Sequence, residues 1–398
     1  MDVSKKIVHL CLCGLFGEKY GYQDNLLTKY HRKLGYDVTI IAPTKAQFTS
    51  NGNVIDAPAG VTVLADGCKL IRVRAKYNSK WINKHFHIFE DITTIVLDEK
   101  PEFIFVHNLA SFNYLCLLKI KQIMPKVKIA FDNHMDEYNS NRNILSKFLN
   151  GFIYRYGVVR RLLPVSNYFY GVTPSRCTFL NVVLGVPEDK ICYLPMGADD
   201  EKMLFDKRTE LRERIRKHYN ISDDDFLIVT GGKIDKSKHI DLLVKAVNEL
   251  DNQQIKILLF GSIIDELKPV IKSLLSERII YTGWIDSDDV YQYFYAADLV
   301  MFPGLHSVMW EQTVASRCPI AVTRLKGFDH VNINQNCLFL DDCNIEYYKI
   351  FIEDLINNES HYSMLKYNAD NGKADQFLYS NIAQKVIDDM QCSSTIRR

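Results

Sequence analysis

The chain has 398 residues, 47% of them hydrophobic and 24% charged, with a formal net charge of +1. That length allows two domains with separate cores, and near neutrality excludes a general nucleic-acid binder, whose surface would be strongly basic. The ten cysteines are scattered, with only Cys11 and Cys13 close. They read as reduced, buried thiols, because no second Cys or His cluster completes a four-ligand metal site. The apolar run from Ile7 is too short for a signal peptide and meets Gly14 at once; no run nears the roughly 18 residues of a membrane span. The expected location is the cytoplasm.

Taken in order, a strand over 7–13 leads into a glycine-spaced loop, 14–21. A helix over 25–34 stops at Gly35, a C-cap position. Strands follow over 38–42, 61–64 and 70–73, then a helix over 86–97 and a strand over 103–106. Residues 115–123 have helical spacing, 127–131 read as a strand, and 143–163 as a long helical region. Short strand signals stand at Val165 and at Val172-Thr173. Strands separated by helices imply a parallel sheet covered on both faces.

Periodicity breaks between 194 and 206, at Pro195-Met196-Gly197-Ala198-Asp199-Asp200, which reads as a linker. A second alternation follows: strands over 226–230, 255–260 and 279–281, with helices over 239–250, 266–275 and 288–296. Residues 297–302 and 319–322 are short apolar runs, each a buried parallel strand. The tail, 376–390, is again helical.

Between the last two strands, Pro303-Gly304-Leu305 forms a turn and a helix opens at His306-Ser307. Strand, glycine turn and helix N-terminus make an anion site, because unpaired N–H groups and the helix dipole point at the turn. Glu311 and Gln312, one turn further, are placed to hold hydroxyls. Adjacent helical positions diverge by about 100°, so one of the two faces the pocket, with Glu311 slightly preferred. Lys233 and Lys238 lie just after the strand over 226–230, where Gly231 and Gly232 allow close backbone approach. The alternative is a solvated lysine-rich turn that includes Lys236.

Asp132-Asn133-His134-Met135-Asp136 directly follow the strand over 127–131, and His134 has carboxylates at plus and minus two. His107-Asn108 lie at the same level after 103–106, either in the site or capping a loop. Gly14, Gly17 and Gly21 do not form a GxGxxG fingerprint. Tyr22-Gln23-Asp24 open the next helix, as an N-cap or as a contact to a second substrate.

In this order the motifs resemble the family 4 glycosyltransferases. Val172-Thr173-Pro174-Ser175 and Leu194-Pro195-Met196-Gly197-Ala198-Asp199 resemble that family's "vtpS … lPnGvD" passage, and the segment from Gly232 to Lys238 its "GRl…K" segment. Gly283-Trp284, Ala296-Ala297-Asp298 and Phe302-Pro303 are similar to its run into the donor pocket. The resemblance implies an α/β chain of two Rossmann-like domains facing across a cleft, the GT-B fold. Residues 1–198 would form the acceptor-side domain and 199–375 the nucleotide-sugar domain, with a helix in 376–398 packing back over the junction.

The resemblance further implies retaining transfer of a hexosyl unit from a nucleotide-diphosphate sugar, with a UDP-sugar favoured. The acceptor would be a glycan or lipid-linked glycan in cell-surface polysaccharide or glycoconjugate synthesis, with no cofactor and no metal. His134, Asp136 and Lys238 would be catalytic. Gly17, Gly232, Lys233, Lys238, His306, Ser307, Glu311 and Gln312 would bind donor, Gly17 in a mobile loop beneath the diphosphate. Tyr22, Asp24 and His107 would bind acceptor.

One departure stands out. With Pro319 on the family proline, Gln312 takes the second position of the paired-glutamate signature and Gly304 the first. Competing readings are a sugar-nucleotide epimerase of the same fold and a catalytically silent sugar-nucleotide-binding partner protein. The first needs acid–base pairs not visible here, and the second draws on the absent glutamate. Finally, 142–170 mixes Arg155, Arg160 and Arg161 with Phe148, Phe152 and Leu162. Such a stretch rests at the inner face of the plasma membrane on anionic lipid, or packs on the sheet with a basic outer face.

Overall fold

The computed structural model describes residues 5–18, 20–48, 54–77, 79, 86–370 and 372–392. Lys19 of the glycine-spaced loop and the last six residues of the tail lie outside them. Two compact units share the chain: the first runs to Pro195 and includes the C-terminal helix Tyr379–Gln391, and the second is Met196–Leu378.

The first unit contains β1 (Lys6–Leu10), β2 (Asp37–Pro43), the antiparallel pair β3 (Lys45–Phe48) and β4 (Val54–Asp56), β5 (Gly60–Val63), β6 (Lys69–Val73), β7 (Phe103–Val106), β8 (Lys128–Asn133), β9 (Tyr168–Gly171) and β10 (Ile191–Tyr193). Its main sheet has the order β10-β9-β8-β7-β1-β2-β6-β5, parallel except at the β5 edge. Continuous apolar runs suit strands covered on both faces. In β7, Ile104 and Val106 enter one core while Phe103 and Phe105 enter the other. The helices Ile92–Glu99 and Cys116–Ile123 close the first face; Gln23–Lys33 and Tyr379–Gln391 close the second. The tail helix is tied there by Tyr170 Oη, which donates to Asp389 Oδ2 at 3.0 Å.

Three expected elements differ. The helix expected over 86–97 starts at Ile92, where Asp91 caps it by accepting from the Thr94 N–H at 3.1 Å; Phe89 instead bridges to Ala75. The strand expected at Val165 and Val172 is Tyr168–Gly171. Its signal lies in alternating Tyr and Phe, of which Phe169 and Tyr170 are buried and Tyr168 partly so, although tyrosine counts as half polar. The region 143–163 is a short helix, Ile144–Phe148, followed by eleven residues of π-helix, Leu149–Val159, and a last turn.

The second unit contains β11 (Phe226–Ile234), β12 (Ile255–Ile263), β13 (Ile279–Tyr281), β14 (Leu299–Phe302), β15 (Ile320–Thr323) and β16 (Cys337–Leu340). The order is β13-β12-β11-β14-β15-β16, parallel throughout. β11 and β12 run longer than expected, so Gly231 and Gly232 are strand residues. Gly232 pairs with Gly261 so closely that a Cβ on Gly261 would overlap the Gly232 backbone. Chain order reverses between β11 and β14, which places a topological switch point at their carboxyl ends. Among the described residues no helix is long and apolar enough to cross a membrane.

Candidate functional site

At that switch point lies a cavity of about 240 Å³. Gly231, Gly232, Lys233 and Lys238 line one side, and Pro303, Gly304, Ser307 and Met309 the other. Open α/β sheets bind ligands at such crevices. Gly304 is required by close approach: a Cβ there would overlap the backbone of Ser237 and Lys238. Gly232 has φ +101°, a left-handed conformation that favours glycine.

The two lysines differ. Lys233 is 70% exposed and 3.8 Å from Asp235. Lys238 is half-buried; its Nζ donates to the Leu305 carbonyl and, at 3.3 Å, to the His306 carbonyl. Burial lowers its pKa to about 8, with Lys233 adding repulsion against the attraction of Asp235. An incoming anion would add to the attraction of Asp235 and favour the charged ammonium.

The expected helix N-terminus at His306-Ser307 lies elsewhere. The helix is Met309–Ala315, with Val308 at its N-cap, so only seven residues follow the turn. Ser307 stays on the cavity wall. His306 turns away because its Nε2 pairs with Glu311, 2.9 Å from Oε1, while His330 Nε2 reaches the same oxygen at 2.8 Å. All three side chains are buried. Burial alone would raise the Glu311 carboxyl, but the two histidines outweigh it and hold the pKa at about 2.

Glu311 is therefore spent on packing chemistry and is not a cavity-wall residue; Gln312 is buried and also off the wall. His306, Glu311 and His330 are the described residues able to gather round a metal ion, with ligand atoms within 4.8 Å of one another. Ligation at about 2.1 Å to each atom would hold those atoms farther apart than the observed hydrogen-bond contacts. Hydrogen bonding describes the cluster.

In the first unit, a buried chain of side chains ends at the carboxyl end of β8. His9 Nε2 is 3.0 Å from His31 Nδ1, and His9 Nδ1 is 3.0 Å from His107 Nε2. His107 Nδ1 lies 2.9 Å from Asp132 Oδ2. Asp132 also accepts from the Asn108 N–H at 2.7 Å and lies 3.5 Å from His134 Nε2. Burial lowers the His9 pKa well below the usual value and takes His31 to about 3. Burial would also lower His107, but Asp132 outweighs it and the net shift is upward. Asp132 itself is held well below the carboxylate range, because His134 and His107 overcome its desolvation.

This placement corrects the expected roles. Asp136 is buried and occupied: it caps the turn Glu137–Ser140 and accepts from Arg176 Nε at 3.1 Å. The carboxylate that meets His134 is Asp132, two residues before it. His107 is sealed between His9 and Asp132, so its ring is not presented to a substrate. Asp24 belongs to the same cluster, its carboxyl raised by burial and acted on by His107 and His134. Tyr22 stays exposed at the start of the helix. Gly17 is a packing glycine in a pinned loop: a Cβ would strike the Tyr20 ring and the Ala46 carbonyl, and Asn25 Nδ2 donates to its carbonyl at 2.9 Å. Sequence reasoning missed His9, His31 and His330. A polar residue within an apolar strand is the signal that marks His9.

Residues 212–372 match the family Glycosyl transferases group 1. That segment is similar to a group 1 glycosyltransferase domain. It spans the cavity, the switch point and the His306–Glu311–His330 cluster. The chain is similar to alpha-galactosylglucosyldiacylglycerol synthase of Streptococcus pneumoniae, 26% identical over 168 residues, which cover 40% of this chain and 43% of that protein. It spans about half the length of the curated relatives it matches. Among solved structures, sucrose-phosphate synthase of Thermosynechococcus elongatus superposes with a TM-score of 0.68 at 14% identity, covering 96% of this chain and 98% of that one. Anabaena HepE in complex with UDP and glucose gives 0.65 at 12%, with the same coverage. The fold is that of the GT-B glycosyltransferases.

Proposed function

We propose that the chain is a retaining glycosyltransferase of the family 4 type, a variant lacking the first glutamate of the paired signature. It moves a hexosyl unit from a UDP-sugar to a glycan or lipid-linked glycan in surface polysaccharide or glycoconjugate synthesis. The observation that carries the reading is the cavity in the segment matched to group 1, which sets the half-buried Lys238 against glycine backbone at a sheet switch point. The likeness to a UDP-binding structure and to a glycolipid synthase supports the choice of donor and acceptor.

In this reading Lys238 and Lys233 offset charge developing on the diphosphate as the glycosidic bond breaks, which preorganised cations do at low reorganisation cost. With lysine charge at hand the chemistry needs no metal. The acceptor hydroxyl is the nucleophile, and the leaving phosphate takes its proton. His134 is the catalytic group of the first unit, and Asp132 positions its ring.

A thermal-shift series with UDP, UDP-glucose, UDP-galactose and GDP-mannose tests donor choice. A ligand at about 100 times its Kd stabilises by about 2.7 kcal/mol. Acceptor-dependent UDP release then marks transfer. Interconversion of the donor sugar would mark an epimerase, and binding without either reaction a silent partner.

A further inference from the structure

From Tyr138 to Pro187 the sequence contains six basic residues and no Asp or Glu, in a chain of net charge +1. One of the six, Arg176, is taken up by Asp136. The helical segment within this stretch is amphipathic in an unusual way. Tyr154, Val158, Val159 and Leu162 face the core, but the outer face also carries large apolar groups. Ile144 is 88% exposed, Leu145 61%, Phe148 53%, Phe152 55% and Tyr156 43%. A helix merely packed on its sheet with a charged outer face would not show these side chains to water.

The backbone explains their alignment. Over Leu149–Val159 the helix is π-wound, a form usually limited to single turns and frequent at functional sites. Its wider turn brings residues four apart nearer to one line than the 3.6-residue turn does. Phe148 and Phe152 rings stack at 5.5 Å, and Phe152 meets Tyr156 at 5.4 Å. The guanidinium of Arg160 sits 5.8 Å from the Tyr156 ring and that of Arg155 5.6 Å. Arg142, Lys147 and Arg161 are exposed beside the ladder.

We propose that this face docks on an anionic lipid surface. A protein partner would be met by an apolar patch of either charge. Here the aromatic and aliphatic groups stand in a stretch whose charges, from 138 to 187, are all cationic, the pattern that seats a helix at a headgroup boundary. The face is joined to the chemistry of the first unit, since Asn150 Nδ2 donates to the Ser140 carbonyl and to Asn141 Oδ1, each at 3.0 Å. Those residues end the turn that begins three residues after His134. The docking rests on the proposed function only for its purpose, delivery of a lipid-linked acceptor to that end of β8.

The test is sedimentation of the full chain with phosphatidylcholine vesicles, with and without phosphatidylglycerol, and no sugar nucleotide present. Binding is expected only with the anionic lipid and is lost at high salt. Phe148→Ser with Phe152→Ser, and separately Arg160→Glu with Arg161→Glu, are each expected to lower the bound fraction by about tenfold or more. Unchanged melting temperature and UDP affinity in both variants exclude misfolding. Equal binding to neutral vesicles, undiminished binding by both variants, or a dimer in light scattering that Phe148→Ser dissolves would each overturn the proposal. Failure of sugar transfer would leave this readout untouched.

Discussion

Glu311 Oε1 accepts from His330 Nε2 at 2.8 Å, and the two residues come from positions 19 apart in the chain. With His306 on its other side, the carboxylate is closed off by two imidazoles and its role is to hold the turn after β14 in place. Breaking a buried pair costs about 3–5 kcal/mol, so Glu311→Ala should lose that much in urea unfolding. Glu311→Gln should lose about 1–3 kcal/mol. Native stability with abolished UDP binding would return Glu311 to a ligand-binding role.

Lys238 is expected to make donor binding pH-dependent. Its free-state pKa of about 8 lies well below 10.5, and a bound diphosphate would raise it. UDP affinity should therefore fall as pH rises above 8, with proton uptake on binding visible in calorimetry in buffers of different ionisation enthalpy. Lys238→Arg should remove the pH dependence, and Lys238→Ala should cost about 2–4 kcal/mol in the transfer step. A flat profile for the native chain would remove Lys238 from the diphosphate site.

Gly304→Ala sets the backbone of the turn against that of Lys238, where no flexible side-chain end can give way. Overpacking of this kind costs about 1–3 kcal/mol, and UDP affinity should weaken with it. Gly14→Ala is the control, because a Cβ there meets nothing within 4 Å. Equal melting temperatures for the two variants would contradict the close approach.

Acid should destabilise the chain before ordinary carboxylates titrate. Folded His31 has a pKa of about 3 against 6.5. The unfolded state therefore binds more protons between those values, and stability falls as pH drops through that window. Glu311, at about 2 against 4.5, adds a loss of the same sign lower down. His107 is raised and acts oppositely: its contribution is complete below 6.5 and fades as pH rises through its folded value. Each group contributes a slope of at most about 1.4 kcal/mol per pH unit. In urea titrations at a series of pH values, His31→Gln should flatten the fall below pH 6.5; an identical slope would rule out a neutral buried His31.

Asp132 and Asp136 should separate by readout. Asp132→Asn keeps the shape but weakens the hold on His134, so kcat should drop about 10²–10⁴-fold with little change in KM. Asp136→Asn loses the charge facing Arg176, so the main effect should be on melting temperature. Reversal of the two results would restore Asp136 as the residue that orients His134.

Much of the architecture was legible because strands buried on both faces must be apolar. Short runs such as 103–106 and 299–302 therefore declare themselves, and the parallel α/β class follows from helices falling between them. Lys238, Gly304 and Ser307 come to line the cavity for a related reason: each lies within five residues of a strand's carboxyl end, where parallel sheets bind ligands. The outward ladder of Phe148, Phe152 and Tyr156 was not, since a π-wound turn changes which spacing makes a stripe.

The partners of buried polar groups were beyond the sequence. Glu311 stands where a helix would offer it to a ligand, yet His330, from a distant turn, takes it up. Asp132 and Asp136 flank His134 symmetrically in the chain, and only strand direction and the position of Arg176 decide between them. Periodicity records whether a side chain is buried. The identity of the group waiting there depends on contacts between residues far apart in sequence, which exist only once the sheet has formed.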